Sequence, residues 1–127
     1  MNLLDTHALV WAFHEPDRLS PAARRVAQNA DFAVSSASLW EMLVKKGRAT
    51  ALVRDPLAWW RTYISRSGIR VLSIEPAHIE HLDALPGPNW DPFDRILICQ
   101  CVTEGLKLVT KDSLIRDHYQ HHLPIVW

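Results

Sequence analysis

Short apolar runs alternate with stretches of helical spacing along most of this chain. Asn2 to Leu4 has room only for a brief strand. It stops at Asp5-Thr6, where Ala8 to Phe13 begins a buried helix. Ser20-Pro21 pairs a cap with a proline at the first helical position, opening a helix through Ala22, Ala23, Val26 and Ala27. Phe32 to Val34 predicts a second strand. Ser35, Ser36 and Ser38 offer caps to a helix carrying Leu39, Trp40, Leu43 and Val44, with Lys45, Lys46 and Gly47 as its basic end and stop.

The second half repeats the alternation. Asp55-Pro56 opens a helix with Leu57, Trp60 and Ile64 in phase, broken at Ser67-Gly68. Val71 to Ile74 is the third strand, and Pro76 starts a helix through Ile79 and Leu82. Residues 86–90 form a proline- and glycine-rich loop. Asp91-Pro92 then caps the helix Phe93 to Glu104, whose apolar residues wrap much of its surface, and Gly105 ends it. Leu106 to Val109 is the fourth strand, Leu114 to Tyr119 a short helix, and Pro124 to Trp127 a last strand. Strands that alternate with helices predict an α/β fold with a mainly parallel sheet and helices on both faces.

At 127 residues, with 48% apolar and 22% charged positions, the chain fits one folded domain, residues 1–127. Fourteen basic and fourteen acidic residues cancel, which excludes a strongly basic nucleic-acid binder but not local patches. Residues 1–74 hold ten basic and six acidic groups, whereas residues 75–127 hold four and eight. No apolar stretch approaches membrane-spanning length, and no leader is visible. Cys99 and Cys101, the two cysteines, form neither a disulfide framework nor a usual metal pair and read as small buried hydrophobes. A cytoplasmic protein without a membrane partner is the expectation.

Ligands of open α/β sheets bind beyond the carboxyl ends of the strands. Asp5 follows the first strand, Asp112 lies just past the fourth, Asp94 sits in the first turn after the loop, and Glu41 lies on the helix after the second strand. Asp91 has an ordinary capping explanation. Glu41 alone would read as a solvated residue and Asp94 as a charge favouring the positive end of its helix. Asp5 and Asp112 are harder to explain as caps together. Carboxylates gathered at one edge repel one another unless a cation neutralises them, and an all-oxygen set suits magnesium or manganese. Such an ion points to phosphoryl transfer or phosphodiester hydrolysis.

Four segments also carry a resemblance. Leu3-Leu4-Asp5-Thr6-His7, the stretch Ser35 to Ser38 with Leu39-Trp40-Glu41, then Asp91-Pro92-Phe93-Asp94-Arg95, and Val109-Thr110-Lys111-Asp112 resemble, in order and spacing, the motifs of PIN-domain ribonucleases of the VapC toxin type. The resemblance implies a three-layer α/β/α domain with Asp5, Glu41, Asp94 and Asp112 as catalytic, metal-binding acids and Thr6 and Thr110 in support. It also implies an RNA substrate, a homodimer and a small inhibitory antitoxin. Asn89 stands where many relatives carry histidine. The alternative is a non-catalytic α/β domain that binds RNA or protein. A phosphatase or receiver-like domain would want an aspartate acceptor with a nearby lysine.

Other residues keep two readings. His118, His121 and His122 lack a zinc motif and read as surface groups. His7 can touch the site or merely pack. Arg95 either pairs with an acid or contacts phosphate. The basic run Lys45 to Arg70 is either a solvated face or an RNA or antitoxin contact. Trp59 and Trp60 are adjacent, so the expectation is that one meets a partner chain. Trp90 packs its loop or stacks on a base.

Overall fold

The computed structural model describes residues 1–87 and 91–127. Five strands form one parallel sheet: β1 (Asn2–Leu4), β2 (Phe32–Ser35), β3 (Arg70–Leu72), β4 (Lys107–Val109) and β5 (Ile125–Val126), in the order β3-β2-β1-β4-β5. Around it lie α1 (Thr6–His14), α2 (Pro21–Gln28), α3 (Ser36–Lys45), α4 (Pro56–Trp60), α5 (Pro76–Glu80), α6 (Pro92–Glu104) and α7 (Ser113–Tyr119). Strand order reverses direction at β1, so the gap beyond β1 and β4 is the topological switch point.

β1 and β2 are buried on both faces along their whole length, which explains why neither alternates apolar with charged positions. Successive residues point to opposite faces. Leu3, Ala33 and Leu108 face a core filled by α6 and α7 through Leu97, Ile98, Cys99, Ile115 and Tyr119. Leu4, Val34 and Val109 face a second core filled by α1, α2 and α4 through Leu9, Trp11, Ala23 and Trp60. This is the expected three-layer α/β/α arrangement, and both cysteines are buried as expected. The strands are shorter than the apolar runs. The Ile74 amide, for example, leaves the ladder and donates to Ser36 Oγ at 3.3 Å.

Two expectations fail on packing. Trp59 and Trp60 are both buried in the same core, so neither waits for a partner chain. Their short helix is covered on two sides: it packs on α3, and Trp59 meets Phe13 edge-on at 5.7 Å while its indole N–H donates to His14 Nε2 at 2.6 Å. On α3, the apolar residues are turned outward. Trp40, Leu43 and Val44 are 51%, 43% and 40% exposed, while Ala37, Ser38, Glu41 and Met42 are buried.

The first core holds a polar seam. Ser35 Oγ donates to Gln100 Oε1 at 2.6 Å and accepts from the Ala37 amide at 3.0 Å, while Gln100 Nε2 donates to the Ser73 carbonyl at 3.3 Å. Buried His78 accepts from the Glu75 amide at 2.9 Å, and its Nε2 lies 2.9 Å from Glu104. These bonds tie α6 to β2 and to the segment after β3. Among the described residues no helix is long and apolar enough to cross a membrane.

Candidate active site

The acids arrive by way of helix starts. Asp5 caps α1, accepting from the Ala8 amide at 2.8 Å, and its own amide bonds the Val109 carbonyl at 3.0 Å. Asp112 caps α7, accepting from Leu114 and Ile115 at 2.8 and 3.2 Å. Asp91 caps α6, accepting from Phe93 at 2.8 Å. Capping and convergence are therefore not alternatives for Asp5 and Asp112: each caps its helix through Oδ1 and also lines the pocket at the switch point. Asp94, one turn into α6, makes no such cap.

All five acids, Asp5, Glu41, Asp91, Asp94 and Asp112, line one pocket of about 290 Å³. Glu41 is buried and held at both oxygens. Thr6 Oγ1 donates to Oε1 at 2.6 Å, with the Ser38 hydroxyl 3.0 Å from Thr6, and Lys45 Nζ donates to Oε2 at 2.6 Å. Thr110 bonds the Asp5 carboxylate and accepts from the Asp112 amide at 3.1 Å, so it links two of the acids. His7, Trp11 and Lys111 complete the wall.

Electrostatically the pocket is under tension. Burial pushes the Asp94 carboxyl up to about 8, reinforced by the charges of Asp91, Asp5, Glu41 and Asp112. Burial also raises Asp5, against the opposing bonds from Thr110 and Ala8 and the charge of His7. Burial works against the charge of Lys45, but its bond to Glu41 and the fields of Asp91 and Asp94 outweigh it and raise its pKa. The two lysines of the wall do not neutralise five carboxylates.

A hard divalent cation suits a set of carboxylate oxygens in which burial, reinforced by neighbouring charges, favours the neutral form of Asp94. Among the described residues no group of three or more His, Cys, Asp or Glu side chains stands close enough to hold an ion as placed.

The sequence pointed to Asp5, Glu41, Asp94 and Asp112, and the fold brings these four to one opening together with Asp91. Lys45 and Lys111 as pocket residues, and Trp11 as its wall, were not anticipated. The Lys45 signal was its spacing four residues after Glu41. Arg95 points elsewhere, its guanidinium reaching the Tyr119 hydroxyl and the Leu85 carbonyl, each at 3.4 Å. His118, His121 and His122 are exposed. Asn89 and Trp90 lie outside the described residues.

Comparison with known proteins places the chain in a family. Residues 3–120 match the PIN domain. Ribonuclease VapC22 of Mycobacterium tuberculosis is 33% identical over 98% of this chain and 97% of its own length. Among solved structures, VapBC2 from Rickettsia felis, crystallised with a DNA fragment from its promoter, superposes with a TM-score of 0.64 at 14% identity, covering 98% of this chain and 96% of that one. DNA-bound VapBC from Salmonella typhimurium gives 0.63 at 21%, covering 98% and 97%. With the acids gathered at the sheet's switch point and a match across most of its length, the chain belongs to the PIN-domain family.

Proposed function

We propose that residues 1–127 form one nuclease domain, a magnesium- or manganese-dependent endoribonuclease that acts as the toxin of a toxin–antitoxin pair. The observation that carries this reading is the convergence of Asp5, Glu41, Asp94 and Asp112 from four chain segments on one pocket, where burial, reinforced by the neighbouring charges, pushes the Asp94 carboxyl up to about 8. The named relative, a ribonuclease of 33% identity, supports RNA as the substrate.

A bound divalent ion would polarise the phosphodiester and lower the pKa of an attacking water. Asp5, Glu41, Asp94 and Asp112 would hold it. Thr6 and Lys45 fix the Glu41 carboxylate from both sides, so its position is set before any ion enters. Thr110 does the same for Asp5 and for the backbone of Asp112. Asp94, whose carboxyl burial and its neighbours push up to about 8, would ionise once positive charge offset them.

A protein partner is supported by the outward face of α3. Trp40, Leu43 and Val44, with Leu57 of α4, leave apolar side chains in water, and the Trp40 ring meets Phe93, next to Asp94, at 4.7 Å. A small antitoxin covering this strip would end beside the acids, and a second copy of the chain is the other occupant consistent with it. The solved relatives named as VapBC complexes agree with the first. A cytoplasmic location is part of the same proposal.

The experiment is cleavage of labelled RNA with magnesium or manganese and with chelator. Metal-dependent cleavage is the expected result. Undiminished cleavage in excess chelator would remove the metal from the reaction. RNA binding without cleavage under any divalent ion would favour the non-catalytic alternative.

A further inference from the structure

Cations border the acidic pocket, and they differ in how they are used. Lys45 is committed to Glu41 at 2.6 Å. Lys111 lines the same pocket, yet among the described residues it forms no ion pair with any of those carboxylates. Its ammonium stands instead over the indole of Trp11, 5.7 Å from the ring centroid. Arg18, from the turn after α1, reaches the same indole at 4.6 Å. Its other contact is an exposed pair with Glu15 at 3.3 Å, which water screens heavily.

The platform beneath them is fixed. Trp11 is 8% exposed, meets His7 edge-on at 5.6 Å and lies against Trp127 at 6.3 Å. Cations resting on an aromatic face are pre-positioned, and they keep their hydrogen-bond donors for an anion from solution. A polyanion approaching five carboxylates is repelled unless cations at the rim receive its phosphates first. Lys111, between Thr110 and Asp112, stands at that rim.

Resting on the ribonuclease reading of the site, we propose that Lys111 and Arg18, held against Trp11, form a phosphate-contact lip that fixes where the RNA backbone enters the acidic pocket. Neither residue touches the ion or the reacting bond. Both act as positioning residues, setting affinity and register.

The test compares Lys111→Ala, Arg18→Ala, the double variant and Lys111→Arg in cleavage of a short fluorescent single-stranded RNA with manganese. The double variant is expected to raise KM by about tenfold with kcat changed by less than about twofold, since charge-assisted contacts to phosphate are lost. Lys111→Arg retains affinity. Equilibrium binding of the same RNA, measured in an Asp94→Asn background over a salt series, loses about 0.7 from its log–log slope for each cation removed. Manganese affinity without RNA stays the same. An unchanged KM and salt slope, a loss confined to kcat, or weakened manganese binding would each overturn the lip. If the unsubstituted chain binds RNA without cutting it, the ribonuclease reading fails, and the salt slope still decides for or against the lip.

Discussion

Two polar regions lie against the same sheet and obey opposite rules. In the seam of the first core, each hydroxyl, amide and imidazole has a neutral or complementary partner: Ser35 with Gln100, Gln100 with the Ser73 carbonyl, His78 with Glu104. In the pocket beyond β1 and β4, five carboxylates share one committed ammonium, and Asp94 retreats to its neutral form. Satisfied polar groups in a core specify packing. Carboxylates concentrated without compensation are a stored demand for positive charge, which is why the second region is read as a site and the first as architecture.

Substitutions should separate the two regions by sign. The largest effect is expected in the pocket. Asp94→Asn, Asp5→Asn or Asp112→Asn should cut metal-dependent RNA cleavage by about a hundredfold or more. Metal-free unfolding should show a stability that holds or rises, because a carboxyl that ionises more readily in the unfolded chain than in the buried pocket is replaced by a neutral amide. Normal cleavage by Asp94→Asn would erase the distinction drawn here. In the seam the reverse holds. Gln100→Leu strands the Ser35 hydroxyl and the Ser73 carbonyl and should cost about 1–3 kcal/mol in denaturant unfolding, with the metal affinity of the folded protein unchanged.

Acidity sharpens the contrast. The unfolded chain releases the Asp94 proton near 3.8, the folded chain at about 8, so between these values the folded state holds more protons. Metal-free stability should therefore fall as pH rises through that window, and Asp94→Asn should flatten the profile. Thermal melts across the pH series check this, and a melting temperature that climbs with pH equally in both proteins would contradict it. The smallest effect belongs to Asp91→Asn. Asparagine caps α6 about as well as aspartate, so stability should shift by less than about 0.5 kcal/mol and cleavage should change little. If it proves the silencing substitution instead, Asp91 rather than Asp94 is the essential member of the pair.

The elements were readable where local chemistry announces them. Ser20-Pro21, Asp55-Pro56 and Asp91-Pro92 each open a helix, and Gly105 closes α6 in the left-handed region. Strand edges were less legible, since segments of two to four residues carry too little periodicity. Asp5 and Asp112 were visible because they end strands. The environment of Glu41 was hidden. Its helix turns Ser38 and Glu41 inward and Trp40 outward, a choice dictated by Thr6, distant in sequence, and by the acids of other segments. His78 and Gln100 were missed for the same reason: burial of a polar group depends on a partner that no local pattern reveals. The tryptophan pair misled because a helix packed on two sides buries neighbouring residues together.

The double duty of the capping aspartates has a bearing on how such a chain decays. Asp5 and Asp112 each begin a helix while facing the pocket. Drift to alanine at one of them removes a cap, at about 1 kcal/mol, and removes a mutually repelling charge at the same stroke. The two consequences oppose each other, so an inactivated copy keeps its shape. A genome would then retain folded, harmless subunits that still occupy a partner made for the active one, and the lineage of a silenced enzyme could outlast its chemistry.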